Sequence, residues 1–353
     1  MRRRDVVFGA SALAGCAMSP TQATPPLHGR PIVIAHRGAS GERPEHTMAA
    51  YRLAIQQGAD FIEPDLVMTR DGVLVCRHEN EISETTDVAQ RPEFAGRRRE
   101  QRVDNTTATG WWVEDFTLAE LKTLRCKERL PQLRPANQAY DGREEIPTFA
   151  EVLALAQASG VGVYPELKHP SFLRAAGLDP VPAFVQAVQA GGGQAAADIM
   201  FVQCFEIWPL VQLAQMSSLR WRCVQLMESY RGPWDRPNSL SADLRSDAGL
   251  ADIALYAAGI GVPKGLIIQE QENGSSAQTD LIARAHAAGL LVHVWTLRAE
   301  NHFLPPRWRR GDPATSDYMR QHGDFDAELR AFYAAGVDGV FSDFPAAAIA
   351  ARG

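Results

Sequence analysis

Short apolar runs alternate with helix-patterned stretches along most of this sequence, and that alternation is what most narrows the fold. Gly162–Leu167, Met200–Phe205, Trp221–Met227, Gly265–Gln269, Leu291–Leu297 and Gly339–Asp343 read as strands. Helical stretches such as Leu281–Ala288 and Asp326–Ala335 lie between most of them. Two earlier apolar runs, ending near His36 and Asp65, bring the strands to eight. Strands that alternate with helices call for a parallel sheet covered by those helices. Eight such units within 353 residues suggest an α/β fold closed as a (β/α)8 TIM barrel. The run Val73–Cys76, which delivers His78, is then an excursion from the second strand–helix loop.

Two stretches break the pattern. Residues 80–145 are polar, with the charge run Arg97-Arg98-Arg99-Glu100 and the pair Trp111-Trp112, and are too long for a plain loop. They read as an insertion after the second strand, with the tryptophans packing its core or lining an entrance. Thr117-x-x-Glu120 and Thr148-x-x-Glu151 are capping boxes that start helices. Residues 299–325, rich in Arg, Pro and Asp, form the second interruption.

The first 25 residues read as a targeting segment and linker, and residues 26–353 as the barrel. Arg2, Arg3 and Arg4 precede an apolar stretch from Val6 to Ala14. Leu13-Ala14-Gly15-Cys16 resembles a bacterial lipobox, in which Cys16 is lipidated, and Arg3-Arg4 resembles a twin-arginine export signal. The alternative is an ordinary signal peptide cut later. Either way an exported bacterial protein is expected, periplasmic or anchored to a membrane through Cys16. In an oxidising compartment Cys204 and Cys223 could form a bridge, and buried free thiols are an equal reading for Cys76, Cys126, Cys204 and Cys223. The net charge of −6 argues against sequence-independent binding of nucleic acid.

The chemistry concentrates between Ile34 and Glu79. An apolar run ends in His36-Arg37-Gly38. Glu63 and Asp65 interrupt the next one, and residues two apart on a strand face the same way. Two carboxylates in one space share a proton or hold a cation. His78 ends the run after that. Downstream, Glu166 and Lys168 repeat the pattern, adding a third carboxylate and an ammonium group. An oxygen-rich set of this kind suits a hard cation, Ca²⁺ or Mg²⁺, while arginine and lysine nearby suit phosphate oxygens.

In order and spacing, these segments resemble the glycerophosphodiester phosphodiesterase family, especially its secreted bacterial branch. The resemblance rests on AHRG at Ala35–Gly38, PEHT at Pro44–Thr47, GADFIEPD at Gly58–Asp65 and TRDGVLVCRHE at Thr69–Glu79. It continues through DFTLAELKTL, IPTFAEVL from Ile146, PELK at Pro165–Lys168, HVWTLR at His293–Arg298 and VDGVFSDFP at Val337–Pro345. It implies His36 and His78 as general acid and base, and Glu63, Asp65 and Glu166 as ligands of a divalent cation, calcium before magnesium. It also implies Arg37 and Lys168 as phosphate ligands, Glu45 as an orienting residue and Trp295 as a wall. Three positions depart from the family pattern: His46 stands for asparagine, Glu79 for aspartate and Glu84 for arginine. They bear on the substrate rim and on the support of His78.

The implied reaction is hydrolysis of a small-molecule glycerophosphodiester to glycerol 3-phosphate and an alcohol. Two alternatives differ in class. One is a phospholipase or sphingomyelinase-D-like enzyme on intact lipids, which requires an apolar entrance. The other is a surface lipoprotein that uses the barrel only to bind.

Overall fold

The computed structural model describes residues 29–271 and 274–353. The targeting segment, Cys16 included, lies outside the described residues.

Eight parallel strands form the barrel: β1 (Ile32–His36), β2 (Phe61–Glu63 and, past Pro64, Asp65–Met68), β3 (Gly162–Val163 and Glu166–Leu167), β4 (Val202–Cys204), β5 (Cys223–Leu226), β6 (Gly259–Pro263), β7 (Leu291–Leu297) and β8 (Gly339–Ser342). Each pairs with the next, and β8 closes on β1 through Ile32↔Gly339. Closure leaves no sheet edge to protect.

The period-two pattern of β1 shows how sequence sets the layers. Ile32 and Ile34 point into the barrel with Phe61, Tyr164, Phe201, Val224, Leu291 and Phe341. Val33 and Ala35 point outward into the larger core beneath the helices. Inside the barrel, the Tyr164 hydroxyl and His293 Nδ1 are 2.6 Å apart.

One expected strand is misplaced. Residues 265–269 are not the sixth barrel strand; that strand is Gly259–Pro263. Lys264–Leu266 is a single 3-10 turn, and Ile268–Glu270 pairs antiparallel with Ser276–Gln278 outside the barrel. GIGVPKGLII is apolar on both sides of Lys264, and its alternating Gly259 and Gly261 hide the buried positions Ile260 and Val262. Proline and the turn after it then end the strand.

The insertion after β2 has its own core of Val67, Val75, Ile82, Phe94, Trp111 and Phe116, among others. Its first strand, Leu74–Cys76, pairs antiparallel with Asp65–Met68, and a hairpin of Arg99–Val103 and Thr106–Gly110 follows. Both capping boxes form. Trp111 packs in this core, its Nε1 donating to the Phe94 carbonyl at 2.7 Å. All four described cysteines are free and buried. Among the described residues no helix is long and apolar enough to cross a membrane.

Candidate active site

The C-terminal ends of neighbouring strands bring the chemistry together, the position where sites form on this barrel. His36 ends β1 in register with Glu63, and Asp65 lies in register with Glu166 across β2 and β3. The side chains of Glu63, Asp65 and Glu166 are buried, and each offers an oxygen within 4.8 Å of the other two. The chain leaves β1 through a tight turn. Arg37 adopts a positive φ of 59°, strain of the kind held at functional sites. Gly38 follows, where a Cβ would stand 2.7 Å from the Ala50 backbone. That close approach fixes Arg37 over the carboxylates. Its backbone N–H donates to Glu63 Oε2 at 2.8 Å, and its guanidinium reaches Glu45 Oε2 at 2.9 Å and lies 3.2 Å from Asp65 Oδ2.

Each histidine is held by a carboxylate at Nδ1. His36 Nδ1 is 2.6 Å from Asp343 Oδ1, and His78 Nδ1 is 2.5 Å from Glu79 Oε1. A carboxylate only accepts, so Nδ1 carries the proton and Nε2 is left to exchange one. His78 Nε2 faces Lys168 Nζ at 3.2 Å, and Lys168 also reaches Glu166 Oε1 at 3.0 Å. Burial, then the adjacent Arg37 charge, lowers His36 to about 4, with Asp343 partly opposing. Burial, Arg37 and Lys168 lower His78 to about 3. Both rings are therefore neutral near pH 7 and able to accept a proton.

The carboxylates are poised for a cation. Burial, then the charge of Asp65, pushes Glu63 well above the usual carboxylate range. Burial raises Glu166 to about 8 against the pull of Lys168. Asp65 stays low despite burial, held down by His78, a hydrogen bond from His46, Lys168 and Arg37. Its Oδ1 is buried without a hydrogen-bond partner. Oxygen-only donors that resist sharing one space and keep a free lone pair fit a hard divalent cation.

All the expected site residues on the described chain converge here. Glu45 is buried between Arg37 and Arg129, and Trp295 walls the cleft. The departures from the family pattern take definite places. His46 is no rim residue: it is fully buried, with Nε2 2.9 Å from Asp65 Oδ2 and Nδ1 2.7 Å from the Tyr51 hydroxyl. Glu79 supports His78, and Glu84 stands in the wall of an outer cavity.

Sequence reasoning gives no role to four further neighbours. Asp343 orients His36, and its other oxygen accepts from Arg134 Nη2 at 2.5 Å and Arg298 Nε at 2.8 Å. Gln203 Nε2 donates to Glu63 Oε1 at 3.0 Å. Asp343 carries the same signal as Glu63, a carboxylate at a strand end. Arg134 carries none, since it reaches Asp343 from the insertion.

Comparison with known proteins identifies the family. The model of the glycerophosphoryl diester phosphodiesterase family matches residues 36–347. A glycerophosphodiester phosphodiesterase of Arabidopsis thaliana is 36% identical over 94% of this chain and 91% of its own. One of Haemophilus influenzae is 27% identical over 96% of this chain and 94% of its own. Among solved structures, a phosphodiesterase of Oleispira antarctica, in complex with the product sn-glycerol-3-phosphate, superposes with a TM-score of 0.59 at 23% identity, covering 93% of this chain and 99% of its own.

Proposed function

The chain belongs to the glycerophosphoryl diester phosphodiesterase family and is an enzyme of that kind, and from this premise we propose that it splits glycerophosphodiesters into glycerol 3-phosphate and an alcohol by paired histidine acid–base catalysis at a carboxylate-held divalent cation. The observation that carries the reading is the pair of histidines, each pinned at Nδ1 by a carboxylate, lining one cavity with Glu63 and Glu166. The product bound by the Oleispira antarctica structure supports the choice of substrate.

Glu63, Asp65 and Glu166 would hold the cation, calcium before magnesium. When bound it supplies positive charge that offsets phosphate charge. Arg37 and Lys168 hold phosphate oxygens. Asp343 fixes the His36 ring so that Nε2 takes the proton of the attacking hydroxyl. That hydroxyl is the glycerol 2-OH, whose oxygen bonds to phosphorus as the bond to the alcohol oxygen breaks. His78 lines both the cavity at the triad and the outer cavity; the negative phosphodiester bound beside it favours its protonated form, and that Nε2 proton goes to the departing oxygen. Water then opens the cyclic phosphate with the proton roles reversed, which is the work suited to imidazoles near neutral pH.

One observation favours a second reading, cleavage of intact lipids. In the wall of the outer cavity Trp234 is 40% exposed, the kind of apolar surface a lipid substrate would meet. Turnover of glycerophosphocholine against a lysophospholipid tests both. Release of glycerol 3-phosphate from the soluble diester is expected; turnover of the lysophospholipid alone would overturn the first reading in favour of the second.

A further inference from the structure

Two cavities meet at the catalytic residues. The inner one, of about 290 Å³, is lined by His36, Arg37, Gln203 and Arg298, among others. The outer one, of about 620 Å³, lies between the insertion and the loop that follows β5. His78, Glu166, Phe205 and Trp295 line both. Resting on the reading above, whose His36 and Arg37 put the glycerophosphoryl half in the inner cavity, we propose that the outer cavity is the subsite for the departing alcohol and selects a cationic one, of the amino- or quaternary-ammonium class.

The charges around that cavity do not balance. Its carboxylates include Glu81, Glu84, Asp104 and Glu228. Most of its cations are already committed. Arg129 pairs with Glu45 at 2.7 Å and Lys168 with Glu166 at 3.0 Å, and His169 Nδ1 is 2.7 Å from Asp104 Oδ2. Arg231 is the remaining guanidinium in the wall. Glu84 and Glu228 form no ion pair among the described residues, and Glu81 accepts only from Ser83 and the Trp111 backbone. Carboxylates left without counter-ions at a cavity wall set a negative potential where the alcohol departs.

Unpaired polar atoms point the same way. Asn80 is in the wall, only 2% exposed, and its Oδ1 has no hydrogen-bond partner. Asp104 Oδ1 is likewise buried and unpartnered. Both are acceptors that the N–H groups of an amino alcohol would satisfy, and their partial negative charge favours a quaternary ammonium group as well. The unpaired donor, Trp295 Nε1, sits where the two cavities join. Trp234, 40% exposed in the same wall, adds an indole ring, the preferred surface for an ammonium or quaternary ammonium group. A neutral polyol would fit the space and gain none of the charge interaction.

The test holds shape constant and changes charge. Glycerophosphocholine is compared with its carbon isostere, which carries tert-butyl in place of trimethylammonium. The charged ester should have a kcat/KM ~10-fold or more above the neutral one at low salt, and the ratio should shrink in about 1 M salt as exposed carboxylates are screened. Glu84→Arg and Glu228→Arg should each cut the ratio by roughly threefold while sparing the neutral ester, with Glu84→Gln in between. A wild-type ratio near one, or a ratio unmoved by both reversals, overturns the proposal. No turnover of either ester refutes the functional reading itself and the proposal with it.

Discussion

At the residue scale, the site is two carboxylate–histidine pairs in a cleft with a carboxylate triad. Replacing His36 or His78 by Ala should each lower kcat by ~10²-fold or more, the usual scale for general acid–base groups. The double variant should be little worse than either single one, because both groups act in one reaction. Steady-state kinetics on folded variants checks this, and near-wild-type turnover of folded His36→Ala would break the proposed mechanism. Asp343→Asn should act through His36, lowering kcat by about tenfold or more with KM little changed. An effect confined to KM would mean that Asp343 does not orient the ring. His46→Asn, which restores the family residue but removes a bond to Asp65 Oδ2, should weaken Ca²⁺ binding measured by calorimetry, by about tenfold for an outer-shell contact. Much of the site is legible in the sequence, because strand alternation alone puts Glu63 and Asp65 on one side. The bracing of Asp343 behind His36 is not, because its contact with Arg134 spans 209 residues and follows no local pattern.

At the element scale, local signals read well where chain chemistry is explicit and poorly where it is uniform. Thr148 and Glu151 announce their helix, and the structure forms both halves of the box. Thr148→Ala should cost about 1 kcal/mol of stability, the usual value of a cap, read as a lower midpoint in urea. An unchanged midpoint would mean that packing of Phe149, Val152 and Leu153 alone holds the helix. The sixth strand is the opposite case. Gly259 and Gly261 leave no alternation to count, so the apolar pattern puts the strand a few residues late, in a stretch that forms a turn and an outlying hairpin. The insertion is recognisable from its length, but its reach to Asp343 through Arg134 depends on tertiary packing.

At the scale of the whole molecule, the barrel interior should make stability depend on pH. His293 is 1% exposed, and burial lowers it to about 4 from an ordinary 6.5. Below pH ~6.5 the unfolded chain takes up a proton that the folded barrel refuses, so this contribution is lost as pH falls toward 4. Each tenfold difference in proton affinity between the two states is worth ~1.4 kcal/mol, so the loss is on the order of 3 kcal/mol. Urea titrations across that range should show a shallower pH slope in His293→Gln than in wild type; equal slopes would place the dependence elsewhere. The export reading is tested on the full chain. If Cys16 carries a lipid, Cys16→Ala should move the protein out of the membrane fraction and leave turnover of soluble diesters intact. An intact mass for a chain that starts beyond residue 16 would refute it. The central claim, that the buried triad Glu63, Asp65 and Glu166 holds a hard cation needed for phosphodiester cleavage, is tested most directly by one measurement: turnover of glycerophosphocholine by protein shown to be metal-free, before and after Ca²⁺ or Mg²⁺ is returned. Activity should vanish on stripping and recover with either ion, and full turnover by the metal-free protein would contradict the account.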